Sequence, residues 1–148
     1  MLGFSFREVM AGTVQRPGER FDRPFTFELD VVAPSVTGLF TSVTGEATGT
    51  VRIDGLARDA AARGFLELSP LAGRRIRYCL DLTGDDGKPY RFDGHKSIDW
   101  LRAPLQTWTT LPGAVYDEAG QVWGEATLRF DLRRHLGRLV RSIRLARA

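Results

Sequence analysis

The stretch Asp-Gly-His-Lys-Ser-Ile-Asp-Trp, residues 93–100, places five side chains capable of binding or acid–base chemistry within eight positions. A histidine beside carboxylates is typical of general acid–base catalysis, whereas a lysine among apolar residues is typical of a ligand anchor. The surrounding sequence alternates as a strand does, so successive side chains point to opposite faces. Lys96 then shares its face with aromatic residues, and His95 shares the other face with both aspartates. The pattern predicts an inward lysine and a solvent-facing histidine.

A second charged residue interrupts an apolar row near the start of the chain. Glu8 has the same parity as Phe4, Phe6 and Met10, so it also faces inward. An unpaired charge in an apolar interior costs several kcal/mol, and we expect Glu8 and Lys96 to compensate each other across the interior. Three arrangements stay open: charged heads in solvent at an open end, a structural salt bridge, or a pair that anchors or transforms a ligand.

The elements that position these residues are short segments of period two separated by turn-forming residues every dozen positions. Clusters such as Asp54-Gly55 and Gly84-Asp-Asp-Gly87 are typical of tight hairpins. The predicted strands are Gly3–Gln15, Phe21–Val32, Gly45–Ile53, Ala60–Ser69, Arg74–Leu82, Pro89–Trp100, Leu105–Val115 and Gln121–Leu132.

An antiparallel meander of eight strands must either close or expose two edges, and closure is the more favourable solution. Residues 131–145 change to a helical period, with leucines on one face and arginines on the other. The 148 residues therefore predict one all-β domain, a calycin-like or lipocalin-like barrel with a C-terminal amphipathic helix. A two-sheet β-sandwich is the alternative.

Parity also predicts the lining of the lumen. The inward aromatic residues expected to contact a ligand are Phe6, Phe27, Tyr78, Phe92 and Trp100. Treating residues 105–111 as a strand favours Thr107 and Thr109 inside, while Cys79 faces outward. Glycines recur in the inward rows, where they make room for strong strand curvature or for a ligand.

Composition excludes several classes of function. Six arginines and no acid occupy residues 133–148, and the remainder carries a net charge of −3, so a nucleic-acid binder is not indicated. No metal-ligand spacing, phosphate loop or other cofactor motif is present.

The lone Cys79 and the absence of a signal segment favour the cytoplasm. The arginine-rich helix could contact acidic lipid, although sealing one barrel end explains its apolar face better.

Three pieces of the chain resemble a small domain found fused to, or beside, actinobacterial cholesterol-oxidase-like glucose-methanol-choline oxidoreductases. They are FSFREVMAGTV, RIRYCLDLTGDDGKPYRFDGHKSI, and TWTTL followed by GQVWGEATLRFDLRRHLGRL. The resemblance implies an accessory role in steroid or lipid metabolism beside a flavin-dependent partner, and it provides no catalytic residues.

The sequence therefore favours a barrel that binds a small apolar molecule, sterol-like or acyl, with Lys96 and Glu8 as polar anchor. The same residues also fit an accessory domain of a lipid-modifying oxidoreductase. One alternative is an enzyme, an isomerase or hydrolase, that uses the same lumen. Another is a protein-interaction module whose barrel is packed throughout.

Overall fold

Alternating apolar and polar residues form nine antiparallel strands in the computed structural model, which describes residues 2–130, 141 and 143–147. The strands are β1 (Leu2–Gln15), β2 (Arg23–Ala33), β3 (Val43–Ile53), β4 (Ala57–Ser69), β5 (Arg75–Thr83), β6 (Pro89–Ser97), β7 (Thr110–Tyr116), β8 (Val122–Arg129) and β9 (Arg144–Arg147). A 3-10 helix spans Thr37–Phe40, and a short helix, α1, spans Pro104–Thr109.

The first eight strands close into a barrel. Each pairs with its neighbour in the chain, and β1 completes the circle by pairing with β2 along Phe4–Val14 and with β8 along Ala11–Gln15. Strand β9 pairs with the first residues of β1, Leu2–Ser5. The prediction of a closed eight-stranded antiparallel barrel is confirmed, and the two-sheet sandwich is excluded.

The barrel has two chemically different ends. The end that we call the far end carries the hairpin connections 16–22, 54–56, 84–88 and 117–121. The opposite end, called the mouth end because a cavity opens there, carries the connections 34–42, 70–74 and 98–109 together with β9.

Side chains fill the lumen toward the far end. The ring of Phe25 packs edge-on against Phe92 at 5.3 Å, and Phe27 contacts both Phe92 and Tyr78. Most inward side chains of β1 to β6 are buried where parity predicts them, and Phe4 and Phe6 near the mouth end are partly buried.

The inward glycines allow strands to approach each other. A Cβ at Gly49 would lie 1.8 Å from the carbonyl oxygen of Glu28, and one at Gly64 would lie 1.8 Å from that of Cys79. Neither glycine lines the cavity described below. Strand curvature, rather than space for a ligand, explains them.

Three expectations need correction or restriction. Residues 104–109 are helical rather than part of a seventh strand, because Pro104 stands at the first helical position, where its missing N–H costs nothing. Cys79 does not belong to the hydrophobic core, as its predicted outward direction implies, but it is buried, with only 4% of its surface exposed. The helix predicted over 131–145 falls outside the described residues at 131–140 and 142, and Arg144 and Leu145 belong to β9.

Candidate functional site

A cavity of about 370 Å³ opens at the mouth end of the barrel. Its three polar residues, Glu8, Tyr78 and Lys96, are buried and come from β1, β5 and β6. The apolar lining residues are Phe4, Phe6, Val36, Leu39, Leu66, Leu68, Pro70, Ile76, Trp108, Ile143 and Leu145. The lumen is therefore packed at one end and open at the other.

Glu8 and Lys96 meet across the interior, as their parity and opposite charges predict. The Nζ atom of Lys96 lies 3.8 Å from Oε2 of Glu8, and their side chains are only 2% and 10% exposed. The hydroxyl of Tyr78 donates a hydrogen bond to Oε1 of Glu8. The ring of Tyr78 also lies beneath the ammonium, with its centroid 5.2 Å from Nζ. The three side chains form one buried polar cluster.

Burial shifts the acid–base properties of this cluster. Desolvation lowers the pKa of Lys96, because the charged ammonium loses water, and the carboxylate of Glu8 opposes the shift. The pKa of Tyr78 lies well above its usual value, first because of burial and then because of the charge and hydrogen bond of Glu8. Tyr78 therefore stays protonated and keeps donating to Glu8 at neutral pH.

The ammonium of Lys96 has hydrogen-bonding capacity to spare. Its distance of 3.8 Å from Glu8 permits Coulomb attraction but exceeds that of a hydrogen bond. Within residues 2–130, 141 and 143–147, Nζ makes no hydrogen bond. A protonated lysine has three N–H donors, and buried donors are normally satisfied. The cluster is thus suited to a molecule that brings an acceptor into the cavity.

Four of the nine residues predicted to bind a ligand line the cavity: Glu8, Lys96, Phe6 and Tyr78. Phe27 and Phe92 lie in the packed core instead, with at most 1% of their surface exposed. Phe27 packs against the ring of Tyr78 and Phe92 packs against Phe27, and neither lines the cavity.

The structure places the other three predicted residues elsewhere. Trp100 follows the end of β6, is 41% exposed, and its indole Nε1 donates to the carbonyl of Pro70 at 2.9 Å. Thr107 and Thr109 lie in α1, where their hydroxyls bond to the carbonyls of Ala103 and Leu105. The parity of a strand does not apply to a helix, so the prediction that these threonines face the lumen is wrong.

Sequence reasoning also missed residues that line the cavity. Trp108 lines the cavity, whereas a strand that turns Thr107 and Thr109 inward would turn Trp108 outward; Pro104 was the signal that indicated a helix. Leu66, Leu68 and Ile76 lie on the inward parity of their strands, but an aliphatic side chain in such a row gives no signal that separates cavity lining from packed core. Leu39 lies in the 3-10 connection, which has no periodic signal.

The acids and the histidine of residues 93–100 have structural or solvent-facing positions. Asp93 accepts from the guanidinium of Arg77 at 2.7 Å on the outer face, where His95 is exposed. Asp99 accepts from the backbone N–H groups of Leu101 and Arg102. No group of three possible metal ligands occurs among the described residues.

Comparisons with known proteins add no identity to this geometry. No protein-family model, curated protein or solved structure matches the chain. The resemblance to an oxidoreductase-associated domain stays a prediction from the sequence. No helix in the described part of the chain is long and apolar enough to cross a bilayer.

Proposed function

We propose that the barrel binds a small, mostly apolar molecule whose single polar group accepts a hydrogen bond from Lys96. The observation that carries this proposal is a 2% exposed ammonium that borders an apolar cavity and makes no hydrogen bond to any of the described residues. The cavity volume of about 370 Å³ lies near the lower end of the range of roughly 300–1,000 Å³ for small-molecule sites. The open cavity favours ligand binding over an interaction module with a packed lumen.

The charges of the cluster favour a neutral polar group on the ligand. Glu8 and Lys96 together carry no net charge, so a carbonyl or hydroxyl enters without leaving an unbalanced charge. A free carboxylate would add a second negative charge close to Glu8. Within the sterol-like and acyl molecules considered above, ketones, alcohols and esters therefore fit better than fatty acids.

The cellular setting of this proposal comes from the sequence alone. The resemblance to domains beside cholesterol-oxidase-like enzymes supports an accessory role in lipid metabolism with a flavin-dependent partner. The lone Cys79 supports a cytoplasmic location. Eight sequential antiparallel strands close into one barrel, and this supports a calycin-like protein that binds its ligand in the lumen.

The proposal is tested by removing the donor from the protein and the acceptor from the ligand. We expect wild-type protein to bind 2-undecanone at least tenfold more tightly than undecane, because only the ketone accepts from Lys96. In Lys96→Met this preference should disappear. Displacement of the neutral fluorophore N-phenyl-1-naphthylamine measures each affinity.

Lys88→Met is the matched control, because Lys88 is exposed in a far-end hairpin and is the only other lysine. It should retain the wild-type preference for the ketone. An undiminished preference in Lys96→Met would contradict the proposed anchor. Native mass spectrometry of protein purified from its own host would then identify the bound molecule by its mass.

A further inference from the structure

Exposed apolar side chains concentrate around the opening of the cavity. Of twelve large exposed hydrophobic residues in the described part of the chain, ten lie at the mouth end and two, Phe21 and Val122, at the far end. The ten are Leu2, Val32, Phe40, Leu71, Trp100, Leu101, Leu105, Trp108, Ile143 and Leu145. The extreme case is Leu101, which is 95% exposed. A concentration of this kind marks a contact surface.

The two ends also carry opposite charge. The far-end connections contain seven carboxylates and three cations, a net charge of −4. The mouth-end connections contain Arg74 and Arg102 against one acid, Asp99, whose carboxylate is engaged by backbone N–H groups. On the adjoining strands, Arg75 and Arg144 are exposed together with one acid, Glu46, which lies opposite Val32. An anionic surface would attract the mouth end and repel the far end.

The apolar rim around the mouth is held in place by specific contacts. The indole of Trp100 packs on that of Trp108, with 5.6 Å between ring centroids, and donates to the carbonyl of Pro70. These contacts tie the connection 98–109 to the connection 70–74. Asp99 caps the turn that projects Leu101 outward. The exposed leucine is therefore presented by a fixed loop.

We propose that the mouth end docks on an anionic lipid surface, with Leu101, Leu105 and Trp108 entering the head-group region. Aromatic and aliphatic side chains flanked by arginines are the combination that interfacial membrane binding uses. The proposal goes beyond ligand binding and concerns the outer rim, where Leu101 and Leu105 lie outside the cavity lining and Trp108 belongs to both. Its consequence, ligand exchange between cavity and bilayer, rests on the proposed function.

The orientation follows from the charge arrangement. Each arginine close to an anionic surface strengthens binding roughly fivefold, an effect that salt weakens. Insertion of apolar side chains adds a contribution that salt does not remove. A protein docked by its mouth would place the cavity opening against the source of an apolar molecule.

Vesicle co-sedimentation tests the docking surface. We expect the protein to bind vesicles of phosphatidylcholine with 30% phosphatidylglycerol, and to bind phosphatidylcholine alone at least tenfold more weakly. Leu101→Glu should reduce binding to the anionic vesicles at least tenfold. Val122→Glu, the same charge at an exposed aliphatic position of the far end, should leave binding within about twofold of wild type.

A second matched pair tests the charge. Arg74→Glu should weaken binding to the anionic vesicles more than tenfold, because it removes one attraction and adds one repulsion. Arg20→Glu makes the same change in a far-end hairpin and should have little effect. Equal losses in the mouth-end and far-end variants, or no binding by the wild type, would overturn the proposal.

Sedimentation velocity without lipid distinguishes a lipid surface from a second copy of the chain. A dimer that Leu101→Glu dissociates, together with no binding to vesicles, would assign the rim to self-association and overturn docking on lipid. The displacement assay with 2-undecanone separates this inference from ligand binding. Leu101 and Arg74 do not line the cavity, so both variants should take up the ketone from solution as wild type does.

Discussion

The buried ammonium of Lys96 is stabilised by the carboxylate of Glu8 and by the ring of Tyr78, and it donates no hydrogen bond to the described residues. Glu8 in turn accepts from the hydroxyl of Tyr78. The charge of Lys96 therefore depends on Glu8 for its stabilisation more than the charge of Glu8 depends on Lys96. Among the described residues, removing the carboxylate would leave Lys96 with only the ring of Tyr78, whereas removing the ammonium would leave Glu8 with its hydroxyl donor.

Glu8→Gln should destabilise the protein by about 3–5 kcal/mol at neutral pH, because it leaves a buried cation without its opposite charge. Burial lowers the pKa of Lys96, and loss of Glu8 lowers it further. The unfolded state then binds more protons than the folded state below the ordinary lysine pKa, so stability rises with pH in that window. The destabilisation should shrink as pH rises toward 10. Urea unfolding at several pH values measures it.

Glu46→Gln provides the control, because Glu46 is exposed on β3. Its free energy of unfolding should stay within about 0.5 kcal/mol of wild type at every pH. A Glu8→Gln variant that is as stable as wild type at neutral pH would show that the carboxylate does not stabilise Lys96.

At the scale of the strands, the backbones of two paired strands can approach so closely that no side chain fits between them. Gly64 of β4 faces the carbonyl of Cys79 on β5, and an added methyl group would lie 1.8 Å from that oxygen. Backbone atoms in paired strands cannot move aside as a flexible side chain does. The barrel curvature at this point therefore depends on glycine.

Gly64→Ala should lower the free energy of unfolding by at least about 3 kcal/mol, at the upper end of overpacking effects. Arg63→Ala, at the exposed neighbouring position of the same strand, should change it by less than about 1 kcal/mol. Thermal and urea unfolding followed by circular dichroism measure both variants. Similar stability of the two would mean that β4 and β5 can separate without cost.

The eight barrel strands and their order could be predicted from the sequence, because alternation and turn residues are local signals. Strand β9 was not predicted, since Arg144 and Leu145 were included in the expected C-terminal helix. Closure also followed, since a long meander has no other way to satisfy both edges. The segment around Thr107 could not be placed from alternation alone, because its leucine and threonine spacing fits strand and helix alike. Pro104 gave the better signal there.

The candidate site was predictable only in its polar part. Glu8 and Lys96 stand out as charges in apolar rows, and parity sufficed to bring them together. The division of the lumen was not predictable, because Phe27 and Phe92 have the same parity as lining residues but lie in the packed half. The end of the lumen that stays open is determined by side-chain packing across the whole barrel, and no local sequence pattern predicts that packing.

At the scale of the whole molecule, the packed far half and the open mouth half should differ in local stability. Amide hydrogen exchange should be slowest in the buried centres of β2 and β5, around Leu29 and Leu80. Saturation with 2-undecanone should slow exchange further at the mouth-end connections, with little change in the far-end hairpins. Mass spectrometry of peptides from labelled protein measures both, and protection confined to the far end would contradict binding in the cavity.

The pairing of β9 with β1 has a practical consequence for joining this chain to anything else. Leu2 lies opposite Arg147, so the first and last described strands run side by side at the rim of the cavity. A protein fused at either terminus, natural or engineered, would emerge next to the opening and could deliver or receive its contents over a short distance. An affinity tag at either terminus would stand in the same place, whereas one inserted in the hairpin 117–121 would leave the entrance clear.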